Sequence, residues 1–278
     1  MSVRYLEAKR TVDDRSLSSR AIDRLLASLP EQVRIFEAGC GTGATIPRLL
    51  NWGVAGTYHG VDTDGTAVRH ARDARPAELR ARGIAATETA TGFRTDSLSV
   101  AVEQGDALTA VEEIGPLDLL VAQQVMDLVD QDRALSAFTD AVGPGGLLYF
   151  PLTFDGATIF QPAHPLDAEI VEAYHATMDA RPNGDSRAGR QLATRLQRGP
   201  GELLVMAPSD AIVRPRDGAY PADEAFVLGS ILDFVADELS EHDVPGVDEW
   251  LDTRRAQLRA RELIYVAHRY DLLYRLPD

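Results

Sequence analysis

The sequence predicts an α/β fold wound around a parallel sheet, and three observations carry that prediction. Short apolar runs alternate with amphipathic stretches along the chain. Four strand-then-helix units follow one another, which joins parallel strands by right-handed crossovers. A glycine-rich turn, Gly39-Cys40-Gly41-Thr42-Gly43, comes directly after the first apolar run, where such sheets place their ligands.

Residues 1–29 read as helical, with Ala21, Ile22, Leu25, Leu26 and Leu29 on one stripe and Pro30 as the stop. Val33 to Phe36 form the first strand, and Ala44 to Trp52 continue with helical spacing. Tyr58 to Val61 make a second strand ending at Asp62, followed by a helix from about Thr66 that Pro76 is expected to interrupt. Leu98 to Val102, Leu117 to Ala122 and Leu147 to Leu152 supply strands three to five. Beyond them, 154–200 reads as an insertion with a loop and helices near Asp167–Asp179 and Arg187–Gln197. Glu202 to Val213 form a sixth strand, a helical pair covers about Asp223–Leu239 and Val247–Arg259, and Leu263 to Leu276 close the chain as a strand. No Gly/Ser linker divides it, so 1–278 reads as one domain: N-terminal helices over 1–30, a ligand-binding core over 31–153, a helical insertion over 154–200, and the last two strands with their helices over 201–278.

Composition narrows the function. The chain has 278 residues, 43 of them acidic and 28 basic, for a net charge of −15, which disfavours nucleic acid as a partner because phosphates need neutralising cations. No apolar run reaches the length of a membrane span, and no membrane partner is expected. Cys40 is the only cysteine, so neither an internal disulfide nor a cysteine-rich metal cage can form. No metal site is expected, and a cytoplasmic location is. Oligomeric state is left open. Lys9 is the only lysine in a chain that otherwise uses arginine.

The glycine turn begins Glu37-Ala38-Gly39, and glycines there let a ligand approach the backbone closely. Gly39, Gly41 and Ala44 also satisfy the G-x-G-x-x-A spacing of a nicotinamide or flavin site, so an NAD(P)-dependent oxidoreductase is one alternative. Glu37 argues against it, since a carboxylate beside a pyrophosphate repels it, whereas the ammonium of S-adenosylmethionine suits a carboxylate. Two more acids end the next two strands: Asp62, placed for ribose hydroxyls, and Asp106, placed for the adenine amino group. Taken singly, either could cap a helix. Three acids at three successive strand ends point to an adenosine ligand with a cationic tail.

Over residues 31–153 the sequence resembles the class I S-adenosylmethionine-dependent methyltransferases. The resemblance rests on Glu37 to Gly43, Val61-Asp62, Gly105-Asp106-Ala107, Asp118 to Gln123, and the Gly143-Pro144-Gly145-Gly146 turn. It implies a doubly wound, mostly parallel sheet of seven strands whose last strand is antiparallel. It also implies S-adenosylmethionine as cofactor, with contacts from Glu37, Gly39, Gly41, Gly43, Asp62, Thr63, Asp106, Ala107 and Gln123. Strand four ends in Ala122-Gln123-Gln124-Val125 and not in the Asn/Asp-Pro-Pro-aromatic signature of amide and adenine amino methylation, which makes those substrates unexpected. A protein that keeps the cofactor pocket without catalysing transfer is a further alternative.

The segments after strands five and six should overhang the transferred methyl and read a small-molecule acceptor. His175 is the candidate general base, with Asp179 one helical turn away to orient it; the competing expectation is a hydrogen-bonded core histidine. Lys9 and Gln124 are candidate acceptor contacts. Residues 181–198 carry five arginines against Asp185 alone, so Arg181, Arg187 and Arg190 are expected to hold a carboxylate or phosphate of the acceptor, against the plainer expectation of a solvated helix face.

Overall fold

The computed structural model describes residues 1–278. Three short helices open the chain: α1 (Val3–Ala8), α2 (Arg10–Ser16) and α3 (Ser19–Leu26). The predicted core follows as β1 (Val33–Ala38), α4 (Thr45–Asn51), β2 (Gly56–Asp62), α5 (Gly65–Ala81), β3 (Thr87–Glu88), β4 (Gly92–Arg94), β5 (Leu98–Gln104), α6 (Ala107–Glu112), β6 (Leu117–Val121), α7 (Gln131–Ala141) and β7 (Val142–Gln161). The remainder comprises α8 (Asp167–Asp179), α9 (Ala188–Arg198), β8 (Glu202–Pro208), β9 (Ala211–Val213), α10 (Glu224–Leu239), α11 (Val247–Ala260) and β10 (Ile264–Arg275).

The strands form one sheet in the order β3-β4-β5-β2-β1-β6-β7-β10-β8, with β9 added beside β10. Pairings among β5, β2, β1, β6 and β7 are parallel, and β10 runs antiparallel between β7 and β8. The seven expected strands are therefore present with the last one reversed. Three further strands make ten: the antiparallel β3–β4 pair extending the β5 edge, and β9, separated from β8 by Ser209 and Asp210. Chain order reverses on either side of β1, opening the crevice at the carboxyl ends of β1, β2, β5 and β6.

Both faces of the sheet are covered, and each covering layer follows from an apolar stripe in the sequence. Ala21 and Leu25 of α3, Ile46 and Leu49 of α4, and Val68, Ala71 and Leu79 of α5 pack on one face. Val111, Phe138 and Leu192, from α6, α7 and α9, pack on the other. A third core joins Ile170, Leu228, Trp250 and Phe160 of the second half to Ala8 and Val12 of the N-terminal helices.

The expected N-terminal helices number three, with Ser18 capping α3 through the Ala21 N–H. Two expectations need correction. Pro76 does not interrupt α5; its ring is buried within a helix that Asp64 caps at the start. Strand five does not end at Leu152 but runs to Gln161, and the Asp155-Gly156 pair that resembles a turn is a bulge, with Gly156 at φ 72° and Leu152 at φ 59°. Asp271 locks the Leu152 bulge in place. Fully buried, it accepts from the Leu152 N–H at 2.9 Å, the Tyr149 hydroxyl at 3.0 Å and the Ser18 N–H at 2.9 Å, tying the N-terminal helices to the sheet.

Candidate active site

The strand ends and the N-terminal helices enclose a cavity of about 390 Å³, within the size range of small-molecule sites. Of the nine residues expected to contact a cofactor, Glu37, Gly39, Gly41, Asp62, Thr63, Asp106, Ala107 and Gln123 line it. Gly43 does not. A Cβ there would meet Ile46 at 3.0 Å and Ala71 and Arg75 at 3.3 Å, so this glycine serves the packing of α4 on α5.

Gly39 and Gly41 take φ of 69° and 51°, and a Cβ on Gly39 would lie 2.5 Å from Val125 Cγ2. Only glycine lets the chain turn here and leave the cavity open. Asp62 braces the turn from β2: one oxygen accepts from the Gly41 N–H and the other from the Asp64 N–H, both at 2.8 Å. The following helix is capped by Asp64, which leaves Asp62 a cavity-lining acceptor. Asp106 does both jobs, since Oδ1 caps α6 through the Thr109 N–H at 2.9 Å while the residue also lines the cavity.

Glu37 departs from its expected part. It is only 2% exposed beneath the turn, and its oxygens already accept from the Thr45 hydroxyl at 2.8 Å and the Tyr58 hydroxyl at 2.5 Å. Burial pushes its carboxyl up to about 7, against the lowering effect of those hydroxyls. Glu37 thus supports the turn from below through Thr45 and Tyr58 while also lining the cavity. Cys40 is a buried thiol whose pKa burial raises, a small residue at a tight turn.

The other end of the cavity is built by Leu6, Lys9, Arg10 and Asp13 of the N-terminal helices together with Gln123, Gln124, Val125 and Leu128 after β6. Gln124 has φ 54°, a left-handed conformation uncommon for a side chain of its size. Its carbonyl accepts from the Lys9 ammonium and its amide donates to Asp13 Oδ1 at 3.1 Å. Lys9 also pairs with Asp13 Oδ2 at 3.3 Å, and Arg269 of β10 donates to Asp13 Oδ1 at 3.0 Å. Behind Gln123, Arg48 donates to its carbonyl at 2.7 Å and to Asp14 at 2.6 Å. The helices are held over the cavity by Glu7 on Arg75 at 2.6 Å, Arg10 on Glu78 at 3.0 Å and Arg15 on Glu224 at 2.5 Å.

Of the expected acceptor contacts, Lys9 and Gln124 line the cavity, and Arg181, Arg187 and Arg190 do not. All three are exposed; Arg181 pairs with Glu238, and Arg190 with Asp155 at 2.9 Å. Their basic charge is that of a solvated surface, since α9 turns Leu192, Ala193 and Leu196 to the sheet and its arginines to solvent. His175 is also misplaced for a base. Its Nε2 shares a hydrogen bond with Thr158 at 2.9 Å, its ring packs edge-on against Phe154, and burial lowers its pKa. Asp179 does not orient it, because both oxygens of Asp179 accept from Ser186. No histidine lines the cavity. Asp13 stands one helical turn from Lys9 and is noticeable in the sequence beside it, whereas sequence reasoning does not single out Arg269, which lies in the closing strand with nothing local to distinguish it.

An adenosine ligand with a cationic tail fits this cavity on three counts. The glycine turn leaves space no side chain could share, Asp62 and Asp106 present acceptors at adjacent strand ends, and the volume suits one such molecule. Residues 36–150 match the family model described as a methyltransferase domain. Among curated proteins, none matches the chain. Among solved structures, the YcgJ protein from Bacillus subtilis is similar at 10% identity and a TM-score of 0.52, over 94% of this chain and 100% of its own. A candidate sarcosine dimethylglycine methyltransferase from Galdieria sulphuraria is similar at 13% identity and a TM-score of 0.50, over 98% of this chain and 88% of its own. At these identities the likeness is one of fold.

Proposed function

We propose that this chain, whose residues 36–150 match a methyltransferase domain, is a class I S-adenosylmethionine-dependent methyltransferase that methylates a small metabolite held between the glycine turn and the N-terminal helices. The observation that carries this reading is one cavity with two differently equipped ends. Acids on the ends of β2 and β5 suit adenosine, while the other end is closed by Lys9, Asp13 and Gln124. At about 390 Å³ the cavity lies within the size range of small-molecule sites, which supports a small acceptor.

S-adenosylmethionine, when bound, supplies an electrophilic methyl group on a sulfonium sulfur. The chain's own contribution is orientation and exclusion of water. Asp62, held by two backbone N–H groups, keeps its remaining lone pairs at fixed positions for a ribose. Asp13 accepts from Lys9, Gln124 and Arg269, so it anchors those donors and is no candidate for a proton acceptor. The test is direct. S-adenosylhomocysteine should raise the melting temperature, with a ligand at 100 times its Kd adding about 2.7 kcal/mol, and a panel of small acceptors should include one that turns S-adenosylmethionine into S-adenosylhomocysteine. Binding with no turnover on any small acceptor would overturn the reading.

A further inference from the structure

One end of the cavity is lined by Lys9 and Asp13 of the N-terminal helices and by Gln123 and Gln124 of the core; behind this lining, Arg48 donates to Gln123 and Arg269 of the closing strand donates to Asp13. Its cations carry donors that nothing in the chain answers. Asp13 is satisfied by three donors. Among the cations, Arg48 Nη2 and Arg269 Nη2 are buried with no partner, although buried donors are nearly always paired. Lys9 has three N–H donors; Gln124 and Asp13 take two, and Gln124 keeps one amide N–H beyond the one given to Asp13.

Lys9, Arg48 and Arg269 pair with the carboxylates of Asp13 and Asp14. Asp127 stands within electrostatic reach of Lys9 and Arg269; its Oδ1 is buried without a partner, and burial raises its pKa. Burial, together with Arg269 and Arg48, also lowers the pKa of Lys9, a cost that an added anion would relieve. A chain that uses arginine everywhere else has its single lysine here, as a compact charge with rotatable donors.

We infer that this end of the cavity is a subsite for a carboxylate on the methyl acceptor, bound by the Lys9 ammonium and the free amide N–H of Gln124 with Arg48 and Arg269 behind them. The inference rests on the transfer reaction proposed above and names the class of its acceptor. The competing source of the same chemistry is the carboxylate of the cofactor's own methionine part.

One lysine makes the test specific, because a protein labelled with [ε-13C]lysine gives a single side-chain signal. Propionate and benzoate, titrated into the free chain and into the S-adenosylhomocysteine-loaded chain, should shift that signal saturably, and propionamide and benzamide should bind at least tenfold more weakly. Lys9→Met should lose the carboxylate preference at least tenfold while its Kd for S-adenosylhomocysteine stays within twofold, and Lys9→Arg should retain the preference. The inference is overturned if amides bind as well as carboxylates. It is equally overturned if Lys9→Met weakens S-adenosylhomocysteine tenfold but leaves its decarboxylated analogue unaffected, which would give the subsite to the cofactor. Failure of S-adenosylhomocysteine to bind the wild-type chain would count against the transfer reaction, while the titrations of the free chain would still decide the carboxylate preference.

Discussion

Two groups of basic residues in this chain have opposite fates. Residues 181–198 hold five arginines in a short span, yet Arg181, Arg187 and Arg190 lie exposed on the cap, two of them paired with acids. Lys9, which lines the cavity, and Arg48 and Arg269, which lie behind its lining, are scattered across 260 positions, each less than 14% exposed at its side chain. Exposed guanidinium groups are satisfied by water, so their density along the sequence says little about recognition. Buried ones must be answered by the protein or by a ligand.

The comparison breaks first at Asp13. It is the carboxylate that Lys9 and Arg269 share, and those two cations hold its pKa below the ordinary value despite burial. Asp13→Ala would leave two buried cations without their acid, a change that typically costs about 3–5 kcal/mol. Urea denaturation at neutral pH measures this. A loss below about 1 kcal/mol would mean that water already screens the cluster and that its burial is not functional.

Glu37 sharpens the point from the opposite side. It is as buried as Asp13 but receives hydroxyls in place of an ion pair, and its pKa rises to about 7. The folded state therefore binds this proton more tightly than the unfolded chain, whose value is near 4.5. Stability from this group is present below pH 4.5 and is lost as pH rises through about 7, by up to about 3 kcal/mol. Glu37→Gln removes the titration. Relative to that variant, wild type should lose stability between about pH 5 and pH 8, and parallel stability curves for the two proteins would show that Glu37 is ionised throughout.

At the adenosine end, Asp62→Ala removes an acceptor that touches no cation and holds the glycine turn through the Gly41 N–H. The expected loss is about 1.5–3 kcal/mol, or roughly tenfold to a hundredfold in Kd for S-adenosylhomocysteine by calorimetry. The fold should survive, since the residue ends an edge of the crevice and not a packed layer. An unchanged Kd would detach Asp62 from the cofactor.

What is legible in the sequence follows the same division. The glycine turn and the acids after β1, β2 and β5 are contiguous with their strands, so strand periodicity alone locates the ligand side of the crevice. The order of the strands and the helices of the second half, such as α8 at Asp167–Asp179, are legible for the same reason. The length of β7 is not, because Asp155-Gly156 has the composition of a turn, and only its pairing with β10 shows it to be a bulge. Nor is Arg269. Its role depends on Asp13, 256 residues away, and no local pattern encodes a contact at that separation. The Tyr58 hydroxyl on Glu37 is not legible in the sequence, because Tyr58 reaches it only through the β1–β2 register, in which Glu37 stands beside Gly60.

The smallest effect belongs to the exposed arginines, and it is the control for the whole comparison. In Arg181→Gln, Arg187→Gln, Arg190→Gln combined, one exposed ion pair to Glu238 is lost, and Arg187 loses no side-chain acid. Asp155 loses the Arg190 side chain but keeps the hydrogen bond from the backbone N–H of residue 190 at 2.8 Å, which glutamine also offers. The exposed pair is worth about 0–1 kcal/mol, so Arg181→Gln, Arg187→Gln alone should lower the melting temperature by a few degrees at most; any larger loss in the triple variant belongs to Asp155, whose carboxylate is only 2% exposed and loses its guanidinium. S-adenosylhomocysteine affinity and the preference for propionate over propionamide should both stay within twofold of wild type. A tenfold loss of that preference would return the anion to the cap, make the surface arginines part of the site, and leave the unpaired nitrogens of Arg48 and Arg269 as a matter of hydration alone.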